Sequence, residues 1–368
     1  MIMKEIRAQS PDLAALGHGF GPLRVLVVGL GQMGRSHALA YHRLRPFQVV
    51  GLVNRSLVDL PPELDDYPRP ASFEEGLALQ PDVVSINTYT DSHAALAIAA
   101  LEAGAHVFVE KPLALTLEEA RAVVEAARRT GRKLVVGYIL RHHPAWVALI
   151  AAARTLGAPY VMRMNLNQAS TGAAWEIHRR LLRTTSPVVD CGIHYVDVMC
   201  QIAGCRPVQV RGMGARLADD IAADQVNYAH LQVLFEDGSV GWYEAGWGPM
   251  MSPVATFVKD VVGTGGSASL LVSGEKDSAD LEAHTEARQL RVRRLQADAG
   301  GGTVPTESVT TIAEALDHQT LCEREQDFLA RAIAEDLDLT GHHEDALRSL
   351  AIVLAADRSM RERRAVDL

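Results

Sequence analysis

An aspartate and a histidine spaced four residues apart form a candidate acid–base pair. Asp190 and His194 open a segment that the apolar spacing predicts to be a helix near 190–202, so one helical face would carry both side chains. A carboxylate beside an imidazole orients the ring and supports its protonated form, which suits general acid–base catalysis. The alternative is an N-cap aspartate followed by a core histidine, and the two residues alone fit both interpretations.

A lysine that directly follows a predicted strand is a second candidate. Lys111 lies between Glu110 and Pro112, after the apolar strand predicted over 105–109. Ligands bind at the carboxyl ends of parallel strands, so the ammonium group could reach a substrate oxygen there. Pro112 would fix the turn and could take a cis peptide bond. Lys111 could equally be an ordinary loop lysine.

A third polar group lies at 137–144, where the two halves of the chain meet in sequence. Arg141 could bind a polar substrate or could stabilise the junction of the halves. The adjacent His142 and His143 invite comparison with a metal site. Neighbouring histidines on an ordered element point apart, and no acidic cluster accompanies them, so we predict no metal.

A glycine-rich turn near the start of the chain predicts a dinucleotide site. The β-branched run 25–28 leads into Gly29, Gly31 and Gly34 in a G-x-G-x-x-G pattern, and a helical pattern follows. Gly29 permits the tight turn, Gly31 lets the backbone approach a pyrophosphate, and Gly34 lets the helix pack closely on the strand. The phosphates would bind the free N–H groups at the helix N-terminus.

The end of the second predicted strand, 47–53, bears on the choice of cofactor. Asn54, Arg55 and Ser56 begin 20 residues after Gly34, where a residue that contacts the adenosine ribose is expected. An aspartate or glutamate there would bind the 2′-hydroxyl of NAD, whereas asparagine tolerates a 2′-phosphate and arginine and serine can bind it. The sequence therefore favours NADP over NAD. Arg55 could instead stack on the adenine or face water.

The residues predicted to bind the cofactor share one kind of position. They lie in the glycine-rich turn or near the carboxyl ends of the following strands, which surround the nucleotide crevice in open parallel sheets. They are Gly29, Gly31, Gln32, Met33, Gly34, Asn54, Arg55, Ser56, Thr88, His93, Glu110 and Lys111.

The elements that must position these groups follow two patterns. Strands alternate with helices as far as Gly137, which predicts a parallel, doubly wound sheet and an α/β fold. From about residue 157 long strand-like segments follow one another, which predicts an open, mostly antiparallel sheet with a helix near 190–202 and C-terminal helices. The predicted strands are 160–167, 208–215, 228–235, 239–246, 254–263, 268–273 and 289–295.

The predicted division of the chain follows from this change of pattern. Residues 1–22 would form an N-terminal extension, 23–145 a dinucleotide-binding Rossmann domain, and 146–368 a substrate-binding and oligomerisation domain. In the last of these, 236–239 is predicted to be a hairpin turn. Residues 296–308 are predicted to be a flexible loop.

Composition limits the classes of partner. The chain has 368 residues and a net charge of −9, which argues against nucleic acid or an anionic membrane as the main partner. Its four cysteines form no C-x-x-C pair, so neither a zinc site nor a disulfide framework is indicated. Because no secretory signal or apolar run of transmembrane length is evident, we expect a cytoplasmic protein.

In combination these motifs resemble the Gfo/Idh/MocA family of nicotinamide-dependent sugar and polyol oxidoreductases. The resemblance covers about residues 23 to 360 and rests on the glycine-rich turn, on Glu110-Lys111-Pro112, on Gly137 with Arg141 and Pro144, and on Asp190 with His194. It implies a Rossmann domain followed by an α/β domain with a large open sheet. It also implies a homodimer or homotetramer that forms through that sheet.

The resemblance also implies roles for three residues. Lys111 matches the catalytic lysine of the family, Asp190 its substrate-binding acid and His194 its acid–base residue. His194 would take the hydroxyl proton of a ring-bound secondary alcohol while hydride passes to the nicotinamide of NADP or NAD. Lys111 would stabilise the developing negative charge, and Asp190 would hold the imidazole and a neighbouring hydroxyl.

The implied substrate is an inositol or a pyranose, and a polar loop before the catalytic helix could cover it. Trp175 could stack on an apolar sugar face, whereas Arg179, Arg180 and Arg183 could bind hydroxyls or form a solvated face. The candidate substrate-binding residues are Arg141, Asn167, Trp175, His178, Arg183, Asp190 and His194. A keto-sugar reductase, an enzyme that oxidises and re-reduces its substrate on tightly held cofactor, and a non-catalytic NAD(P)-sensing regulator remain alternatives.

Overall fold

The computed structural model describes residues 21–280, 282–298, 302–312 and 316–368. They form two compact units, the first built from 21–137 and 318–344 and the second from 138–317 and 345–368. All but the last two residues of the predicted N-terminal extension lie outside the described part of the chain.

The first unit alternates strands and helices, as the sequence predicts. Its strands are β1 (Leu23–Val28), β2 (Phe47–Val53), β3 (Val83–Ile86), β4 (His106–Glu110) and β5 (Leu134–Gly137). Its helices are α1 (Gln32–Arg43), α2 (Phe73–Leu77), α3 (His93–Glu102), α4 (Leu117–Thr130) and α9 (His318–Ala334).

The strands of this unit form one parallel sheet in the order β2-β1-β3-β4-β5. Strands β3 and β5 are buried along their whole length, because helices cover both faces of a doubly wound sheet. Strand β2 lies on one side of β1, and β3, β4 and β5 follow one another on its other side. The glycine-rich turn after β1 therefore lies at the topological switch point, where such folds bind nucleotides.

Residues 318–344 pack with the first unit, although the predicted boundary puts them in the C-terminal domain. The reason is the apolar face of α9, whose Leu329 and Ala330 are fully buried in one core with Val25 and Tyr41. The sequence pattern shows that a helix is present here but not which sheet it covers.

In its described residues, the second unit contains further α-helices. They are α5 (Pro144–Arg154), α6 (Gly172–Leu181), α7 (Pro187–Asp190), α8 (Gly192–Ala203) and α10 (Thr340–Glu362), of which 340–344 group with the first unit. Its strands are β6 (Val161–Ala169), β7 (Pro207–Ala215), β8 (Tyr228–Phe235), β9 (Val240–Gly248), β10 (Lys259–Gly263), β11 (Gly266–Leu271), β12 (Gln289–Ala297), β13 (Thr303–Thr311) and β14 (Val366–Asp367).

These strands form one sheet in the order β13-β12-β11-β10-β6-β9-β8-β7-β14. Every neighbouring pair is antiparallel except β6 and β9, so the prediction of an open, mostly antiparallel sheet is confirmed. The predicted hairpin turn between β8 and β9 is also present, with Gly238 at φ +84°.

Three local predictions for this unit are wrong. Most of the predicted loop 296–308 is strand, because β12 and β13 pair along their full length, although 299–301 lie outside the described residues. The predicted strand 254–263 is regular only over 259–263. The polar segment before the predicted helix near 190–202 is not a loop throughout, since it contains α6 (Gly172–Leu181).

Candidate functional site

The glycine-rich turn of the first unit has the geometry of a phosphate cradle. Gly29 has φ +86°, and a Cβ there would lie 2.6 Å from the carbonyl oxygen of Asn87. A Cβ on Gly34 would lie 1.8 Å from the carbonyl oxygen of Gly29. Gly31, at the N-cap of α1, differs, because a Cβ there would meet no atom within 4 Å. Open space beside free N–H groups at a helix N-terminus fits a pyrophosphate.

Asn54 braces this turn through its side chain. Its Oδ1 accepts a hydrogen bond from the backbone N–H of Leu30 at 2.9 Å, and its Nδ2 donates to the carbonyl of Ser56 at 2.7 Å. Arg55 and Ser56 are exposed. A cavity of about 590 Å³ adjoins the turn and is lined partly by Gly31 and Arg35. The predicted cofactor residues Gln32 and Met33 form the first turn of α1 beside it.

His93, another predicted cofactor residue, connects two loops at the carboxyl edge of the sheet. Its Nδ1 lies 2.7 Å from the carbonyl oxygen of Pro112, and its Nε2 lies 3.0 Å from that of Thr88. Burial lowers the pKa of His93, and the neutral ring donates its single N–H to one of these two carbonyl oxygens. The structure thus gives His93 a bracing function that its position in the sequence did not indicate.

The loop after β4 carries the predicted catalytic lysine. The peptide bond between Lys111 and Pro112 is cis, which is one of the conformations that the sequence allowed for Pro112. Glu110 is buried, and its Oε1 lies 2.8 Å from Nε2 of His37 on α1. Sequence analysis missed His37, although its position on the helix that follows the glycine-rich turn was a usable signal.

In the second unit, Asp190 and His194 lie on either side of a short break in the helix. Asp190 ends α7 and His194 is in the first turn of α8. Cys191 between them keeps right-handed helical angles of φ −83° and ψ −39°, so the predicted one-turn spacing is retained. Ser186 caps α7 by accepting from the N–H of Val189.

Arg141 forms ion pairs with two carboxylates. Its Nε donates to Asp197 Oδ2 at 2.8 Å, and its Nη2 donates to Asp345 Oδ2 at 2.9 Å. The guanidinium carbon also lies 5.3 Å from the centre of the Tyr138 ring. These contacts tie together segments of the second unit, so of the two predicted functions the geometry favours stabilisation over substrate binding.

Trp175 and His178 face the interior side of α6. Trp175 is buried and donates from Nε1 to Asp220 Oδ2 at 2.9 Å, so its ring does not present an open face for a sugar. His178 stacks on Trp247 with the ring centres 4.5 Å apart. Burial lowers the pKa of His178 to about 4, whereas the negative charge of Asp190 acts to raise it. Asp190 is therefore close enough to His178 to interact with it electrostatically.

Helix α6 and the segment that follows it border a cavity of about 420 Å³. Its charged lining residues on α6 are Glu176, Arg179 and Arg180, and Arg183 follows just after the helix ends. Arg179 is paired with Glu176 and with Asp220. In the part of the chain that the structure describes, Arg180 and Arg183 have no ion pair. The predicted residue Asn167 lies elsewhere, on β6, where it donates to Glu244.

Comparison with known proteins places this architecture in a family. Residues 23–138 match the model described as oxidoreductase family, NAD-binding Rossmann fold, and residues 147–269 match the GFO/IDH/MocA C-terminal domain. The chain therefore belongs to the Gfo/Idh/MocA family of oxidoreductases, as the sequence motifs predicted. None of the helices that the structure describes has both the length and the apolar character needed to cross a bilayer.

Individual relatives act on sugars and inositols. The chain is 30% identical to UDP-N-acetylglucosamine 3-dehydrogenase from Acidithiobacillus ferrooxidans over 54% of its own length and 60% of that protein's. It is 32% identical to scyllo-inositol 2-dehydrogenase (NAD(+)) from Bacillus subtilis over 50% of its own length and 54% of that protein's. The matched regions thus span little more than half of these curated relatives.

Solved structures support the fold over almost the whole chain. The crystal structure of myo-inositol 2-dehydrogenase from Lactobacillus plantarum superposes with a TM-score of 0.72 at 18% identity, covering 94% of this chain and 99% of that one. The structure of the Acidithiobacillus ferrooxidans enzyme gives a TM-score of 0.72 at 23% identity, covering 93% and 100%.

The two helix glycines give a paired prediction. Gly34→Ala should lower the free energy of unfolding by about 1–3 kcal/mol, because its methyl group overlaps the carbonyl of Gly29. Gly31→Ala has room in the structure and should leave stability unchanged within about 0.5 kcal/mol. It should nevertheless weaken nucleotide binding at least tenfold, because the methyl group fills the approach to the helix N-terminus. Urea unfolding and fluorescence titration measure both quantities, and unchanged nucleotide affinity in Gly31→Ala would contradict the cradle.

Proposed function

We propose that this protein is a nicotinamide-dependent dehydrogenase that transfers hydride between NAD(P) and a secondary hydroxyl of a cyclic polyol or sugar. The observation that carries the proposal is the open cradle at Gly31 in a chain that retains Lys111, Asp190 and His194. The named sugar and inositol dehydrogenases among its relatives support the substrate class.

Each of the three side chains has a role under this proposal. The bound cofactor supplies the site that accepts or returns hydride. His194 accepts the hydroxyl proton during oxidation, and Lys111 donates a hydrogen bond that stabilises negative charge on the same oxygen. Asp190 orients the imidazole and binds a neighbouring hydroxyl. A keto-sugar reductase would use the same groups in reverse.

Substitution of the two proton-handling residues tests these roles. Lys111→Ala and His194→Ala should each lower kcat by about 100-fold or more, because an electrostatic or an acid–base contribution is lost. The dissociation constant of the cofactor should change less than about threefold. Steady-state assays at 340 nm with inositols, aldoses and their keto forms measure the effect. His230→Ala, on strand β8, is the matched histidine control, and near-normal turnover in both test variants would refute the assignment.

The cofactor is proposed to be NADP. Arg55 and Ser56 are exposed at the carboxyl end of β2, where they can meet a 2′-phosphate, and no carboxylate stands at 54 to repel it. Because Asn54 itself braces the glycine-rich turn, Arg55 offers the cleaner position for a test.

Arg55→Gln should reduce the ratio of kcat/KM for NADP over NAD at least tenfold, since it removes a charge-assisted contact to phosphate. The activity with NAD should stay within about twofold. Arg45→Gln, an exposed arginine before β2, serves as the control. A ratio that does not change in Arg55→Gln would remove Arg55 from the cofactor site.

A substrate that carries an anionic group is a second candidate within the same reaction class. The cavity beside α6 is lined by Arg180 and Arg183, whereas its two carboxylates, Glu176 and Asp220, are already paired with Arg179. This arrangement leaves net positive charge around the cavity. A sugar phosphate, uronate or nucleotide sugar fits that charge.

Removal of both charges distinguishes neutral from anionic substrates. Arg180→Gln together with Arg183→Gln should raise KM at least tenfold for an anionic sugar, while KM for a neutral polyol stays within about twofold. The double variant is assayed against a panel that pairs each neutral sugar with its phosphate or uronate. Arg121→Gln on α4 is the control. Equal effects on both members of a pair would exclude an anion subsite.

We also propose that the chain assembles through the open face of its large sheet. Val262, Val161, Val240 and Leu234 occupy directly paired positions on β10, β6, β9 and β8, and each is 38–43% exposed. A continuous apolar row of this kind suits an isologous contact.

The cytoplasmic location stays a prediction.

A further inference from the structure

A chain of buried hydrogen bonds leads from α9 to the lysine loop. Tyr41 on α1 donates from its hydroxyl to Gln326 Oε1 at 2.5 Å. Nε2 of Gln326 lies 2.9 Å from Nδ1 of His37, and Nε2 of His37 lies 2.8 Å from Oε1 of Glu110. All four residues are buried.

The direction of each bond follows from the donors available. Burial raises the pKa of Tyr41, so its hydroxyl keeps its proton and donates to the amide oxygen of Gln326. The amide NH₂ then faces His37 and donates to Nδ1, which must be unprotonated. The histidine is therefore the neutral tautomer with its proton on Nε2, and it donates to Glu110.

The second oxygen of Glu110 connects this chain to the lysine. Oε2 accepts a hydrogen bond from the backbone N–H of Lys111 at 3.1 Å. Gly137 of the adjacent strand leaves the space that this carboxylate occupies, because an added Cβ there would lie 3.3 Å from Glu110 Oε1. His37 thus fixes one oxygen and the Lys111 peptide is aligned by the other.

We infer that His37, oriented by Gln326, is a positioning residue that acts through Glu110 to hold Lys111 in its working orientation. The inference rests on the proposed function, which gives Lys111 its role toward the substrate. A buried carboxylate with a fixed direction is an effective orienting group, because rotation would leave its oxygens without donors. His37 itself contacts neither cofactor phosphate nor substrate in this scheme.

Three buried residues, one of them His37, have the spacing of a metal site. Ligand atoms of His37, Cys322 and Glu325 lie within 4.8 Å of one another, and all three residues are buried. Both ring nitrogens of His37 are already engaged, so a metal would have to break the chain to Gln326 or to Glu110. Burial and the nearby Glu110 charge raise the pKa of Glu325, which makes it a neutral acid and a poor ligand.

A double-mutant cycle between His37 and Lys111 tests the inference. His37→Ala should lower kcat by about 10- to 100-fold, the effect typical of lost second-sphere orientation, with the cofactor dissociation constant within about threefold. In a Lys111→Ala background the same substitution should change kcat less than about twofold, because nothing is left to position. His37→Gln, whose amide can donate to Glu110, should recover part of the loss.

Matched controls separate positioning from general damage. His42→Ala, at the exposed end of the same helix, should leave kcat unchanged. Tyr41→Phe removes only the hydroxyl that orients Gln326 and should lower kcat a few-fold, so it carries the test if His37→Ala does not fold. Urea unfolding of each variant reports stability independently.

Each outcome decides the matter. Equal losses from His37→Ala in the wild-type and Lys111→Ala backgrounds would overturn positioning while leaving the role of Lys111 intact. Full activity in His37→Gln, Tyr41→Phe and every folded His37→Ala sample would do the same. Full activity in Lys111→Ala alone would overturn the proposed role of the lysine and this inference with it. Stoichiometric metal that depends on His37 would show that the cluster is a metal site instead.

Discussion

The buried Glu110 carboxylate is the group on which the polar edge of the first unit depends. A carboxylate out of contact with water is costly unless its oxygens receive hydrogen bonds, and here they receive them from His37 and from the N–H of Lys111. Both donors are fixed by elements around them, His37 by α1 and the Lys111 peptide by β4. The loop that carries the lysine is thereby tied to the helix that begins at the glycine-rich turn.

This tie depends on a helix that returns from the far end of the chain. Gln326 on α9 is 289 residues from His37, yet its amide selects the histidine tautomer that can donate to Glu110. The apolar face of α9 makes this possible, because Leu329 and Ala330 anchor the helix in the core of the first unit. Helix α9 therefore does two things: its apolar residues pack in the core of the first unit, and its Gln326 orients the His37 ring.

Residue spacing was sufficient to predict the parallel sheet, the glycine-rich turn and the mostly antiparallel second sheet, because each leaves a local pattern. It was insufficient where partners are distant in sequence. No pattern in the sequence predicts that His37 contacts Glu110 or that α9 packs on α1. The hairpin of β12 and β13 was also missed, because a strand exposed along its whole length, as β13 is, has no apolar alternation to reveal it.

The arginines of the second unit show why residue type alone could not assign function. Arg141 and Arg183 looked equally suited to bind a polar substrate, but their surroundings differ. The Arg141 side chain is 17% exposed and its guanidinium is shared between two carboxylates, so diverting it to a ligand would leave buried Asp197 without its main cationic partner. Arg183 is exposed and has no such obligation among the described residues, so binding an anion there would break no existing contact. An arginine can contribute the free energy of a new ion pair to ligand binding only where it does not have to break an ion pair within the fold.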